Sequence, residues 1–364
     1  MKPIKHTRAL HELGQSLWLD NITRGLLTSG TLDEYVRNLS VTGLTSNPSI
    51  FDLAIKHSHF YDKAIQEKKA AGKSGEALFF ELAIEDLRQA ADLFRPIYDA
   101  TAGVDGWVSL EVSPSLAYDS DATIKAAAQL HLQAQRSNLF IKIPGTIEGL
   151  AAIEASIFAG VPVNVTLLFS AAQYVAAAEA YLRGIERRIN VGLSPRIHSV
   201  ASLFISRWDK ALMGKAPVTL QDRLGIAVAK RVYKAYREFL ASPRWCKAAA
   251  AGAPVQRLLW ASTGTKDPKA SDVLYINALA APDTINTIPE KTLLAFADHG
   301  KITELMPING GDSETVIEEC AKAGIDVKKL ADHLQSEGTT GFVKSWKDLL
   351  NCIESKNSTL AATI

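Results

Sequence analysis

Paired cysteines are missing from this chain. Its three thiols, Cys246, Cys320 and Cys352, are widely spaced and follow neither a disulfide framework nor a zinc-ligand spacing. A reducing compartment is the natural setting for them. A long apolar run is missing as well: no window approaches the ~18 consecutive apolar residues of a membrane span. Met1-Lys2-Pro3-Ile4-Lys5-His6 is not followed by the apolar core of a leader peptide. Nor does one sign of charge dominate. The 40 Lys and Arg residues face 39 Asp and Glu, interspersed along the chain, which argues against a basic nucleic-acid surface or a membrane-binding face. The expectation is a soluble cytoplasmic protein whose partners are small molecules, with no nucleic acid and no membrane among them.

What is present is a regular alternation of short apolar runs and helical segments. Runs ending on polar residues occur at Leu17-Trp18-Leu19-Asp20-Asn21, Gly43-Leu44-Thr45-Ser46-Asn47-Pro48, Trp107-Val108-Ser109-Leu110-Glu111-Val112, and over residues 139–146, 161–170, 198–207 and 257–266. An eighth is assigned to Tyr275-Ile276-Asn277-Ala278-Leu279. Between the runs, apolar residues recur at helical spacing; Leu78, Leu82, Leu87, Ala91, Phe94 and Tyr98 mark one long amphipathic helix. Further helices are expected over about 121–136, 172–188 and 221–240, and Pro289 opens another that Gly300 stops. Eight strands, each followed by a helix, with no composition break across the 364 residues, predict one α/β domain, a (β/α)8 (TIM) barrel. A doubly wound sheet is the structural alternative. Residues 314–353 carry helical spacing and no strand signal, so they predict extra C-terminal helices on the barrel, as residues 10–14 close an N-terminal one. Residues 356–364 are expected to fray.

In such a barrel, chemistry gathers at the C-terminal ends of the strands. Those ends carry Asp20, Asn47, Glu111, Lys142, Asn164 with Thr166, Ser202 with Arg207, and Ser262 with Lys266. Lys142 stands out because it interrupts the apolar run Leu139-Phe140-Ile141-Lys142-Ile143. Burial disfavours an ammonium ion and favours the free amine, the nucleophile that imine chemistry needs. A lysine on an edge strand could equally lead its charge out to solvent. The other residues also have ordinary readings: Asp20 and Glu111 as strand-end acids, Asn47 as a turn residue before Pro48, Thr166 as a β-former, Arg207 and Lys266 as solvated charges. Collected in one pocket, they supply an amine, two carboxylates, amide and hydroxyl hydrogen-bonders and two cations, with no histidine pair or acidic cluster of metal-ligand type. That set suits carbonyl chemistry through an imine on a phosphorylated substrate. His131 and His299 read as packing and helix-end residues.

Five motifs in this order, Leu17-Trp18-Leu19-Asp20, Thr45-Ser46-Asn47-Pro48-Ser49-Ile50, Ser109-Leu110-Glu111-Val112, Phe140-Ile141-Lys142-Ile143-Pro144-Gly145-Thr146 and Val163-Asn164-Val165-Thr166-Leu167-Leu168-Phe169-Ser170, strongly resemble the transaldolase family. Trp260-Ala261-Ser262-Thr263-Gly264-Thr265-Lys266-Asp267-Pro268 and Pro282-Asp283-Thr284-Ile285-Asn286-Thr287 are similar to its longer bacterial and plant-type branch. The resemblance implies a barrel of class I aldolase type with the Schiff-base lysine on strand 4. It implies that Lys142 attacks the C2 ketone of a ketose phosphate and that Asp20 takes the C4 hydroxyl proton as the bond between C3 and C4 breaks. Glu111 would shuttle protons through a water held with Thr166. Asn47, Asn164 and Ser202 would hold the dihydroxyacetone unit, with Phe204 and Ser262 also in the substrate site. Arg207 would bind phosphate. Lys266 is the nearest candidate for a second cation, though it lacks the bidentate fork of an arginine.

No metal or organic cofactor is implied, because the imine nitrogen is itself the electron sink. The implied reaction belongs to the pentose phosphate pathway: a dihydroxyacetone unit moves between sedoheptulose 7-phosphate or fructose 6-phosphate and glyceraldehyde 3-phosphate or erythrose 4-phosphate. A monomer or homodimer would serve. Two other readings stay open. One is a fructose 6-phosphate aldolase, whose shorter relatives tend to place a tyrosine where this chain has Phe204. The other is a non-catalytic sugar-phosphate-binding barrel.

Overall fold

The computed structural model describes residues 5–361. Its strands are β1 (Ser16–Leu19), β2 (Val41–Leu44), β3 (Val108–Glu111), β4 (Leu139–Pro144), β5 (Val163–Leu168), β6 (Ser199–Phe204), β7 (Arg257–Ala261) and β8 (Thr284–Ile288). They pair in parallel in the order β2-β1-β8-β7-β6-β5-β4-β3. At the two ends of that order the ring closes without a continuous ladder: the Leu44 N–H donates to the Trp107 carbonyl and the Gly106 N–H to the Thr42 carbonyl, each at 3.0 Å. A side chain at Gly43 would lie 2.6 Å from the Trp107 carbonyl oxygen and 2.8 Å from the Trp18 indole nitrogen. Glycine is therefore what lets β2 approach the seam. The result is the expected (β/α)8 barrel, with helices around it.

The eighth strand lies later than the apolar spacing predicts. Leu274–Ala278 is a short helix, and β8 follows it. Tyr275, Ile276 and Leu279 are fully buried, and an apolar run this short has no period that separates a buried helix from a buried strand. β8 reads Thr-Ile-Asn-Thr-Ile, buried at every position yet more than half polar, which hides it from a search for apolar runs. The helix Glu290–His299 does follow Pro289 and end at Gly300.

Alternation along a strand puts every second residue inside the ring, and three layers result. At the N-terminal mouth the Trp107 and Phe140 rings stack with centroids 3.9 Å apart, and Trp18 lies 6.2 Å from Phe140. Asp105 there accepts hydrogen bonds from the Trp18 indole (2.7 Å), the Gly106 N–H (3.1 Å) and the Ser16 hydroxyl. In the middle layer Asn164 donates to Ser109 Oγ at 3.1 Å and accepts from Ser202 Oγ at 2.7 Å. Two residues further along β3 and β5 come Glu111 and Thr166, and on β4 Lys142, two residues beyond Phe140, pairs beside Glu111 and Asn164.

Two helices close the chain, Ser313–Lys322 and the 35-residue Val327–Ala361. The longer one packs on the helix Pro48–Lys56 and spans the C-terminal mouth. The Trp346 indole donates to Glu76 at 2.6 Å, and the Ser49 hydroxyl to Ser345 at 2.8 Å. The helix continues beyond Lys356, where fraying is expected, and Lys356 pairs with Asp62 at 2.8 Å. Residues 362–364 of that expectation lie outside the described residues. Among the described residues no helix is long and apolar enough to cross a membrane.

Candidate active site

The C-terminal mouth encloses a cavity of about 110 Å³ lined by Asp20, Thr45, Asn47, Lys142, Thr166, Ser202, Phe204, Arg207, Ala261, Ser262, Thr287 and Phe342. Lys142 projects from β4 into it. Its Nζ donates to the Ser46 carbonyl at 2.9 Å and lies 3.3 Å from Glu111 Oε2 on β3. Both side chains are buried, at 7 % and 5 % exposure, so Lys142 does not lead its charge out to solvent. Glu111 Oε1 and Thr166 Oγ1, on the strands either side of β4, are buried with no partner among the described residues. Oxygens in that state take hydrogen bonds from water or from a bound molecule.

Asp20 stands across the cavity, just past β1, its backbone N–H tied to the Ile288 carbonyl at 2.8 Å. Thr45 Oγ1 donates to its carboxylate at 3.0 Å and in turn lies 2.6 Å from Thr287 Oγ1, giving a chain of hydroxyls from β8 to β1. Burial pushes the carboxyl pKa of Asp20 up, opposed by the nearby Lys142 charge and by the Thr45 hydrogen bond. Burial pushes Glu111 up as well, again against Lys142. Both acids are thereby better proton acceptors than exposed carboxylates.

Arg207 belongs to the helix Ser206–Leu212 that follows β6. Its guanidinium carbon lies 5.0 Å from the Phe204 ring centre and 5.5 Å from that of Phe342. No described residue accepts a hydrogen bond from it. Burial holds its pKa below the usual arginine range, with Glu337 and Glu111 opposing. Asp209, two residues on, anchors this helix by accepting from the Gly225 N–H at 3.1 Å and the Tyr275 hydroxyl at 2.8 Å, and burial pushes its pKa up to about 6. Two strand ends bordering the cavity carry left-handed backbone at non-glycine residues, Leu167 (φ 60°) and Ser262 (φ 58°). That strain is held by neighbours: the Ser262 carbonyl accepts from the Ser206 N–H at 3.0 Å.

Of the residues singled out from the sequence, Asp20, Asn47, Lys142, Thr166, Ser202, Phe204, Arg207 and Ser262 line this one cavity. Glu111 and Asn164 stand directly behind it, bonded to Lys142 and Ser202. Asn47 caps the helix Pro48–Lys56, its Oδ1 accepting from the Ile50 N–H at 3.1 Å, so the turn chemistry expected of it is present too. Lys266 does not line the cavity: the residue is exposed on the loop after β7. Although the residue as a whole is exposed, its ammonium is partly desolvated, which pushes its pKa down; the charges of Lys210 and Arg207 add to this and Asp20 opposes it.

The family model described as Transaldolase/Fructose-6-phosphate aldolase matches residues 17–353. The chain belongs to this transaldolase and fructose-6-phosphate aldolase family. A Nostoc punctiforme protein named Transaldolase 2 is 40% identical over 98% of this chain and 98% of its own length. Proteins named Transaldolase from Arthrobacter sp. and Mycolicibacterium smegmatis are 43% and 42% identical, covering 96% and 95% of this chain and 96% of each relative.

Within this transaldolase-family barrel, sequence reasoning missed Thr45, Thr287 and Phe342 as cavity residues. Thr287 was hidden with β8. Thr45 stood inside a quoted motif, where its neighbour Asn47 drew the attention. Phe342 is far from every strand-end motif, and no spacing argument links it to the mouth.

Proposed function

We propose that this chain is a transaldolase, transferring a dihydroxyacetone unit between sugar phosphates through an imine on Lys142. The observation that carries the proposal is the buried Lys142 amine, 3.3 Å from Glu111, in the same cavity as Asp20. The amine attacks the C2 carbonyl of fructose 6-phosphate or sedoheptulose 7-phosphate. Glu111 supplies the proton with which the carbinolamine hydroxyl leaves as water, relayed by a water molecule held between its Oε1 and Thr166 Oγ1. Asp20 takes the C4 hydroxyl proton; the C3–C4 bond breaks, its electron pair moves to the iminium nitrogen, and an aldose phosphate departs. The resulting enamine then attacks glyceraldehyde 3-phosphate or erythrose 4-phosphate, Asp20 returns its proton, and hydrolysis frees Lys142.

Asn47, through its amide nitrogen, and Ser202, steadied by Asn164, hold the three-carbon unit, with Ser262 beside them. Arg207 takes the phosphate as a bidentate fork, and Lys266 adds a point charge from the rim. All these residues come from one chain, so a monomer or a homodimer serves, and the reading places the enzyme in the cytoplasm, in the pentose phosphate pathway. The aldolase alternative needs the enamine to be protonated instead of attacking an aldehyde. Phe204 and Phe342 line the same cavity with rings that carry no hydroxyl to donate a proton, which favours transfer.

Borohydride reduction in the presence of fructose 6-phosphate, followed by peptide mass mapping, tests the imine. An adduct on Lys142 is expected, and folded protein without one overturns the proposal. Adding erythrose 4-phosphate to unreduced enzyme should give sedoheptulose 7-phosphate; release of free dihydroxyacetone in its place would assign the aldolase reaction.

A further inference from the structure

The C-terminal helix Val327–Ala361 does more than cover the barrel. Gln335, Gly338 and Phe342 are spaced three and four residues apart, so they share the face turned to the mouth. Gln335 donates from one amide nitrogen to two carbonyls, Gly145 at the end of β4 (3.0 Å) and Leu167 in β5 (2.9 Å). Leu167 is one of the left-handed residues of the mouth, and this bond gives its carbonyl a partner on the helix. One turn on, a side chain at Gly338 would lie 2.8 Å from Arg207 Nη1 and 2.9 Å from the Leu167 side chain, so the helix approaches the guanidinium as closely as a backbone can. A further turn on, Phe342 completes a pair of rings with Phe204, their centroids 6.4 Å apart, and the guanidinium carbon of Arg207 lies 5.0 and 5.5 Å from the two.

We infer that this helix is part of the substrate site, with Phe342 as a specificity residue that presents the Arg207 fork to phosphate and Gln335 as the positioning residue that fixes the helix over it. The inference rests on the reading that Arg207 binds the phosphate of the substrate. An arginine side chain has several rotatable bonds, and phosphate binding must freeze them. Stacking against two rings, with Gly338 closing off Nη1 from the helix side, freezes the guanidinium before the ligand arrives and leaves its N–H edges for the anion. Phosphorylated sugars should gain from this; the imine end of the cavity, at Lys142, lies on other elements.

The full-length wild type is compared with Gln335→Leu, Gln335→Glu, Phe342→Leu and Phe342→Tyr. Gln335→Glu keeps the size of the side chain but removes the amide donor. Two quantities are measured: kcat and KM for fructose 6-phosphate with erythrose 4-phosphate as acceptor, and the Kd for inorganic phosphate by calorimetry. Both Gln335 variants and Phe342→Leu should raise the KM and the phosphate Kd together by about tenfold, with kcat within about threefold of wild type. Phe342→Tyr, which keeps the ring face, should restore both. Folded Gln335→Glu or Phe342→Leu with unchanged KM and phosphate Kd overturns the inference, as does a fall in kcat alone. If one Gln335 variant does not fold, the other and Phe342→Leu decide. Arg207→Ala separates the two levels: unchanged phosphate binding in that variant removes the reading beneath the inference. Wild type that binds phosphate but forms no adduct on Lys142 removes the imine chemistry and leaves this inference standing.

Discussion

The two mouths of the barrel both bury a carboxylate, and they treat it in opposite ways. At the N-terminal mouth Asp105 accepts from Trp18, Ser16 and the Gly106 N–H, and Arg257 adds a bond to Ser16 at 2.8 Å. At the C-terminal mouth Glu111 keeps one oxygen, and Thr166 its hydroxyl, without a partner among the described residues, and Asp20 faces the cavity. A buried polar group with all its bonds made stabilises a fold, whereas one left short stores interaction energy for whatever enters. The contrast holds for the carboxylates: at the N-terminal strand ends it is neutral amide oxygens, of Gln15, Asn138 and Gln256, that lack a partner among the described residues.

The sharpest way to break this contrast is Asp20→Asn, which should lower kcat by roughly 10³-fold. It should also raise the melting temperature at pH 7. Burial raises the Asp20 pKa, so the stability this carboxyl contributes is complete below its unfolded pKa, about 3.9, and is lost as pH rises through the folded value. Asparagine removes that loss, and the gain over wild type should shrink as pH falls towards 4. An unchanged or lower melting temperature at pH 7 would contradict the buried-acid account. Asp105→Ala should do the reverse: denaturant unfolding should show a loss of roughly 3 kcal/mol, because three donors lose their acceptor. Its turnover per folded molecule should match wild type.

Asp209 sharpens the comparison, since it is a satisfied acid in the working half. Its pKa, pushed up to about 6, makes its contribution to stability complete near pH 4 and lost through pH 6. Asp209→Asn should therefore gain on wild type as pH rises from 4 to 7, by on the order of 2 kcal/mol in chemical denaturation. A gain independent of pH would rule out titration of this group. The smallest effect is expected from Thr166→Val, which replaces an unpartnered hydroxyl with a methyl group. Stability should stay level or rise slightly, while stopped-flow measurement should find imine formation slowed about tenfold.

How far the sequence reveals this molecule depends on the range of the forces involved. Lys142, Asp20, Glu111 and Thr166 were legible because strand alternation and barrel geometry send residues at strand ends to one place, whatever the distance in sequence. β8 was not, because three of its five buried residues are polar, and the bonds Thr284 makes to the Ala281 carbonyl and Thr287 makes with Thr45 leave no local pattern. Phe342 was not, because its place over Arg207 is fixed by how a long helix docks across the mouth, and docking is a property of surfaces rather than of spacing. Asn47 shows a third case: its capping role was readable from Pro48 alone, and its presence in the cavity required the whole ring.

The seam between β2 and β3 carries one more consequence. Lys142 reaches past β3 to the Ser46 carbonyl beyond the end of β2, so the amine helps to clasp the two strands that the sheet leaves unladdered. On the chemistry proposed above, the nitrogen that reaches Ser46 is the one that bonds the substrate, so imine formation leaves it fewer hydrogens for that clasp.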